Sequence, residues 1–213
     1  MRTALKAQTL AALVAAALLC FGAPLALADA PASLLAGVTA AEAPQVAARL
    51  GDRIVSGSEA AAESKVEWGT AIGVVDRPFD EVVKVVQDYQ HYATFLPHFK
   101  TSRVLAQRGA RALVYIEVGI IKDTATLWGQ FNMSAETNGA ARVVEAHMQR
   151  GNLDHFVARF EVTPLDGGAR ALVRFRILVD PGLPLPSSVF TNENVKAARK
   201  TIAALRVRVA ETS

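Results

Sequence analysis

Few side chains of this sequence have the type and spacing to do chemistry. The four histidines are His91, His98, His147 and His155, and no two stand at the spacing that a metal site uses. His98 follows Pro97 and reads as a hydrogen-bonding corner residue rather than a general acid or base. His147 and His155 fall on solvated or edge positions of strands. Asp88 reads as the end of a helix. There is neither a Gly-x-Ser-x-Gly nucleophile elbow nor a phosphate loop. Tyr89, Tyr92 and Phe95 read as one core-facing aromatic group, from which the Tyr92 hydroxyl can reach the mouth of a pocket. These residues point to no catalytic group, no metal site and no cofactor.

A helix, a corner and a long run of strands must position them. Residues 65–75 read as a first strand, with Val66, Trp68 and Ile72 among small residues. Asp76-Arg77-Pro78 opens a helix whose Phe79, Val82, Val83 and Val86 keep the helical period, with Asp76 as its expected cap. Pro97 stops a short second helix, because proline lacks the backbone donor and biases its predecessor away from helix. From Phe99 the period changes to two, which predicts strands over 99–107, 111–122, 124–136, 141–150, 153–164 and 169–180. Arg108-Gly109-Ala110, Asn138-Gly139, Gly151-Asn152 and Asp166-Gly167-Gly168 separate them with hairpin chemistry. After a proline-rich break at 181–186, Ser187 or Ser188 is expected to cap a long final helix. Its stripe runs Val195, Ala198, Ile202, Leu205, Val209.

The chain has 213 residues and is 51% hydrophobic, enough for one domain with a substantial core. Residues 1–28 read as a secretory signal: Arg2 and Lys6, an apolar run from Leu10 to Phe21, then Ala26-Leu27-Ala28 as a small-x-small cleavage site. An uncleaved anchor is the alternative. Cleavage removes Cys20, the only cysteine, and with it any disulfide or thiolate chemistry. It also takes the formal charge from +3 to +1, so nothing electrostatic points to nucleic acid. The expected location is periplasmic or extracellular. Residues 29–64 read as a lead, a short helix over 44–55 and a linker over 56–64, and residues 65–213 as the folded domain.

Alternation divides the strands into two faces. Ile116, Val118, Leu127, Phe131, Met133, Val144, Met148, Phe156, Phe160, Val173, Phe175 and Ile177 fall on one; Tyr115, Glu117, Trp128, Gln130, Glu145, His147, Arg159, Arg174 and Arg176 fall on the other. Burying the second set would strand unpaired charges, so the first faces the last helix and the second faces water. The basic row Lys196, Arg199, Lys200, Arg206 and Arg208 reads as a solvated helix face, with contact to a membrane surface as the alternative.

The segment 88–105, D-Y-x-x-Y-x-x-F-L-P-x-F-x-x-S-x-V-L, and the order strand, two helices, six strands, long helix resemble the START-like (SRPBCC) superfamily, nearest its polyketide cyclase / coenzyme Q-binding branch. The resemblance covers about residues 65–211. It implies an α+β helix-grip fold, a curved seven-stranded antiparallel sheet wrapped around the C-terminal helix. It also implies a hydrophobic small molecule, such as a lipid or quinone, held in an apolar cavity. Candidate contacts are Tyr92 and Phe95 from the corner, and Ile116, Val118, Phe131, Met133, Met148, Phe156, Phe160, Phe175 and Ile177 from the sheet. Val195 and Ile202 join them from the last helix, and Leu183 and Leu185 are expected to cover the mouth. An inward set without acids or bases favours a carrier over the rival polyketide cyclase/aromatase-type enzyme. A filled core would instead favour an interaction protein.

Overall fold

The computed structural model describes residues 34–35, 37–120 and 125–212. Residues 1–28, read above as a signal, and positions 121, 122 and 124 of the expected strands lie outside them. In chain order the elements are helix α1 (Ala43–Leu50), strands β1 (Val55–Glu59) and β2 (Trp68–Val75), helix α2 (Phe79–Val86), a 3-10 turn (Tyr89–His91) and helix α3 (Tyr92–Phe95). Strands β3 (Phe99–Arg108), β4 (Arg111–Ile120), β5 (Ala125–Asn138), β6 (Ala141–Gly151), β7 (His155–Leu165) and β8 (Arg170–Asp180) follow, then helix α4 (Ser187–Glu211). All strands form one antiparallel sheet in the order β1-β2-β8-β7-β6-β5-β4-β3. The α+β helix-grip architecture is as expected, with eight strands among the described residues instead of seven. The added one is β1, in a segment whose Ser-Gly-Ser composition reads as linker. It pairs with β2 from Val55↔Ile72 to Glu59↔Trp68.

Helix α4 lies across the concave face at the β2 end. A Cβ on Gly69 would stand 2.1 Å from the backbone carbonyl of Asn194, so only glycine lets the helix backbone approach so closely. The helix buries Phe190, Asn194, Ala198, Thr201, Ile202, Leu205 and Val209. Its stripe therefore passes through Asn194, where periodicity of apolar residues had placed Val195. The amide is accommodated because its Nδ2 donates to the carbonyls of Glu67 (3.1 Å) and Val179 (3.4 Å). Neither expected serine nor Asp76 caps a helix; Pro186 and Pro78 occupy the N-cap positions, without side-chain bonds.

The convex face is not solvated throughout. Leu34, Leu35, Ala43, Val46, Ala47 and Leu50 pack on Ile72, Val74, Leu165 and Leu172 as a second core. Arg174, expected in water, is buried beneath this layer. Its Nε donates to the Leu35 carbonyl (2.7 Å), and Glu59 accepts from both Arg174 (3.1 Å) and Arg176 (2.9 Å). Burial pulls the Arg174 guanidinium below its ordinary pKa, and Glu59 opposes that shift. The N-terminal segment is thus part of the folded unit, which reaches back well before Lys65. Among the described residues no helix is long and apolar enough to cross a membrane.

Candidate functional site

Strand register determines where the inward side chains meet. Val104, Val114 and Phe131 are joined by β3–β4 and β4–β5 pairing, and Phe131 is opposite Met148 on β6. Phe156 pairs with Val179, Ala158 with Ile177, and Val118 with both Phe99 and Leu127. Val114, Val144, Val162 and Val173 are sealed completely. At the other end of the same strands Phe99, Val118, Leu127, Met148, Phe156, Ile177 and Val179 are only half-buried. The concave face is therefore solid at one end and apolar and partly open at the other. Full burial of a large apolar side chain stabilises by about 1.5–3 kcal/mol. Leaving several half-exposed together is what a binding surface does.

Of the residues singled out in the sequence, Tyr92, Ile116, Phe131, Met133, Phe160, Phe175 and Ile202 are buried in the main core. Phe95, Val118, Met148, Phe156 and Ile177 pack against it half-buried. Rings pair through the middle: Phe160 lies 4.3 Å from Phe175 and Phe131 lies 4.5 Å from Phe156, centroid to centroid. Val195 is half-buried beside the Gly69 contact. Leu183 and Leu185, expected over the mouth, are 39% and 45% exposed, on the loop where the Gly182 N–H donates to Asp180 (3.1 Å). Phe99, Leu127 and Val179, which line the open end, were outside the candidate set. Their alternation was legible, but only the register shows that they end on the same side.

Several polar groups near this surface are already engaged. The Tyr92 hydroxyl, expected at a pocket mouth, is buried and donates to the Val86 carbonyl. That carbonyl lies in the last turn of α2, where helix carbonyls lack partners within the helix. Burial pushes the Tyr92 phenol well above its ordinary pKa, with lesser contributions from Tyr89 and Asp88. Ser102 Oγ donates to the Tyr89 carbonyl (2.5 Å). The His98 carbonyl accepts from Gly119 (2.8 Å), fixing the corner against β4. His91 pairs with Asp88 at 2.7 Å on the surface, and His147 lies 3.4 Å from Glu145. No group of three metal-ligating side chains gathers among the described residues.

A separate hollow of about 670 Å³ lies by the β3–β4 turn, lined by Arg108, Arg111, Asn132, Glu136, Glu145 and His147 among others. Its lining mixes these polar groups with Ala106, Ala112, Leu113 and Met133, and Glu145 there is paired with Arg159 of the neighbouring strand. The apolar end of the concave face is the better site for a small molecule, since such sites are mainly hydrophobic with few polar groups.

The family model for polyketide cyclase / dehydrase and lipid transport matches residues 75–206. The fold is that of several solved structures. The STAR-related lipid transfer protein from Xanthomonas axonopodis superposes with a TM-score of 0.65 at 17% identity, covering 74% of this chain and 93% of that one. Human StAR-related lipid transfer protein 5 gives 0.66 at 11% identity, covering 76% and 84%. The Zhui aromatase/cyclase from Streptomyces sp. R1128 gives 0.53 at 13% identity, covering 67% and 93%. No curated protein matches the chain.

Proposed function

The chain belongs to the polyketide cyclase / dehydrase and lipid transport family, and we propose that it binds a hydrophobic small molecule, such as a lipid or quinone, at the open end of its concave face. The observation that carries this reading is the change along single strands from sealed to half-exposed apolar side chains. On β6 it is the step from Val144 to Met148, and on β7 the step from Val162 to Phe156. The contact between the Phe131 and Phe156 rings means that a ligand enters by displacing side chains rather than filling a ready void. Met148, flexible and polarizable, suits that movement.

The side chains described at this end supply no acid or base in position for cyclisation, and a binding role needs none. Residues 1–28 add export to the proposal, so the mature chain would meet its ligand outside the cytoplasm. Intact mass of the exported protein tests that part: a chain beginning near Asp29 supports it, and one retaining Met1 and Cys20 contradicts it.

The binding reading is tested by placing a charge on the apolar wall. Met148→Glu is half-exposed, so the chain should fold while uptake of an apolar fluorophore falls by at least about tenfold, the cost of desolvating an unpaired carboxylate. Gln149→Glu on the opposite face should leave uptake unchanged. Equal uptake by both variants would contradict the assignment.

A further inference from the structure

Beside α4, away from the open apolar end, a groove of about 420 Å³ is lined by Asp52, Arg53, Ile54, Val55, Arg199 and Arg206. Arg199 and Arg206 are seven residues apart, two helical turns, so they share one face about 10 Å from each other along the axis. The chain leaving α1 brings Arg53 to the same groove.

Backbone carbonyls tether two of these guanidinium groups. Arg206 donates from Nε to Val74 (2.8 Å) and from Nη1 to Asp52 (2.8 Å), and its buried Nη2 has no hydrogen-bond partner. Arg53 donates from Nε to Leu50 (3.2 Å) and from Nη2 to Arg49 (2.6 Å). Carbonyls fix the position of a guanidinium without neutralising it. Arg199 is exposed. Burial pulls the Arg206 guanidinium below its ordinary pKa, and Asp52, the one carboxylate of the lining, opposes that shift. Three arginines thus converge on a hollow that holds a single acid, and two of them are preorganised.

We propose that this groove is an oxyanion site that takes a phosphate group, carried either by a lipid headgroup or by a small soluble phosphate. Guanidinium groups donate paired N–H bonds in the geometry that phosphate oxygens accept. Burial of the Arg206 head keeps water from screening it fully. The site is distinct from the apolar end of the concave face and does not depend on a ligand there.

The test uses the full chain as purified. Binding of inorganic phosphate is measured by calorimetry at constant ionic strength. Co-sedimentation is measured with phosphatidylcholine vesicles with and without phosphatidylglycerol. Arg53→Gln and Arg199→Gln remove exposed side chains and leave the Arg206 tethers in place. Arg150→Gln, on β6 of the sheet, removes the same charge elsewhere. Saturable phosphate binding that weakens about tenfold or more in the two groove variants, but not in Arg150→Gln, supports a site for soluble phosphate. Vesicle binding that requires phosphatidylglycerol and shows the same variant pattern supports a headgroup site. No binding in either arm, or equal weakening by all three substitutions, overturns the proposal.

Discussion

Tyr92 and the phenylalanines show how one face carries two kinds of side chain. The Tyr92 hydroxyl satisfies a buried carbonyl at the end of α2, so Tyr92→Phe should destabilise by about 1–3 kcal/mol, the cost of orphaning that acceptor. An unfolded tyrosine titrates near pH 10, whereas burial raises the folded group well above that. Its contribution is therefore fully present below pH ~10 and is lost as pH rises toward and through the folded value. Denaturant titrations above pH ~10 should show a steeper loss in the wild type than in Tyr92→Phe. Phe175, 4% exposed and stacked on Phe160, should cost roughly 3–5 kcal/mol on truncation to Ala. Phe156, half-buried at the open end, should cost about 1–2 kcal/mol while weakening ligand binding more. Equal costs for the two would mean that the concave face is uniformly solid. Period-two alternation made this inward set legible in the sequence. The hydroxyl's partner was not, because it depends on how the corner folds back beneath α2.

The elements were legible where a single period governs them and obscure where tertiary contact overrides composition. Strands β3 to β8 and helices α2 and α4 follow from alternation, turn glycines and the apolar stripe. Strand β1 does not, since Val55–Glu59 reads VSGSE and carries no strand signal of its own. A Cβ on Gly57 would stand 2.7 Å from Leu35 Cδ1, so the strand packs closely under the N-terminal layer. The available signal was in β2, where the uninterrupted run from Ala71 to Val75 is buried on both faces. Such a run demands a cover on each side. Leu50, 1% exposed in that cover, should cost about 2–5 kcal/mol on replacement by Ala; chemical denaturation showing under 0.5 kcal/mol would mean that the N-terminal layer is dispensable. Gly69→Ala should cost about 1–3 kcal/mol or more, because α4 must move off the sheet to admit the methyl group. Its signature would be loss of α4 protection in hydrogen exchange.

The described residues form a sheet with a helix on one face and an N-terminal layer over part of the other. Two of its core clusters hold opposite sides of β2 and β8. The family resemblance gave this arrangement from the corner motif and element order; which end opens required the register. A protein so built should be more stable with its ligand than without, since anything that binds only the folded state raises the unfolding midpoint by mass action. The most direct measurement is the melting temperature of purified, solvent-stripped protein before and after its own organic extract is returned. The wild type should gain several degrees, a free energy of about 2.7 kcal/mol at a hundredfold excess over Kd, and Met148→Glu should gain little. An unchanged midpoint in the wild type, or an equal gain in Met148→Glu, would contradict the placement of a hydrophobic ligand at the open end of the concave face.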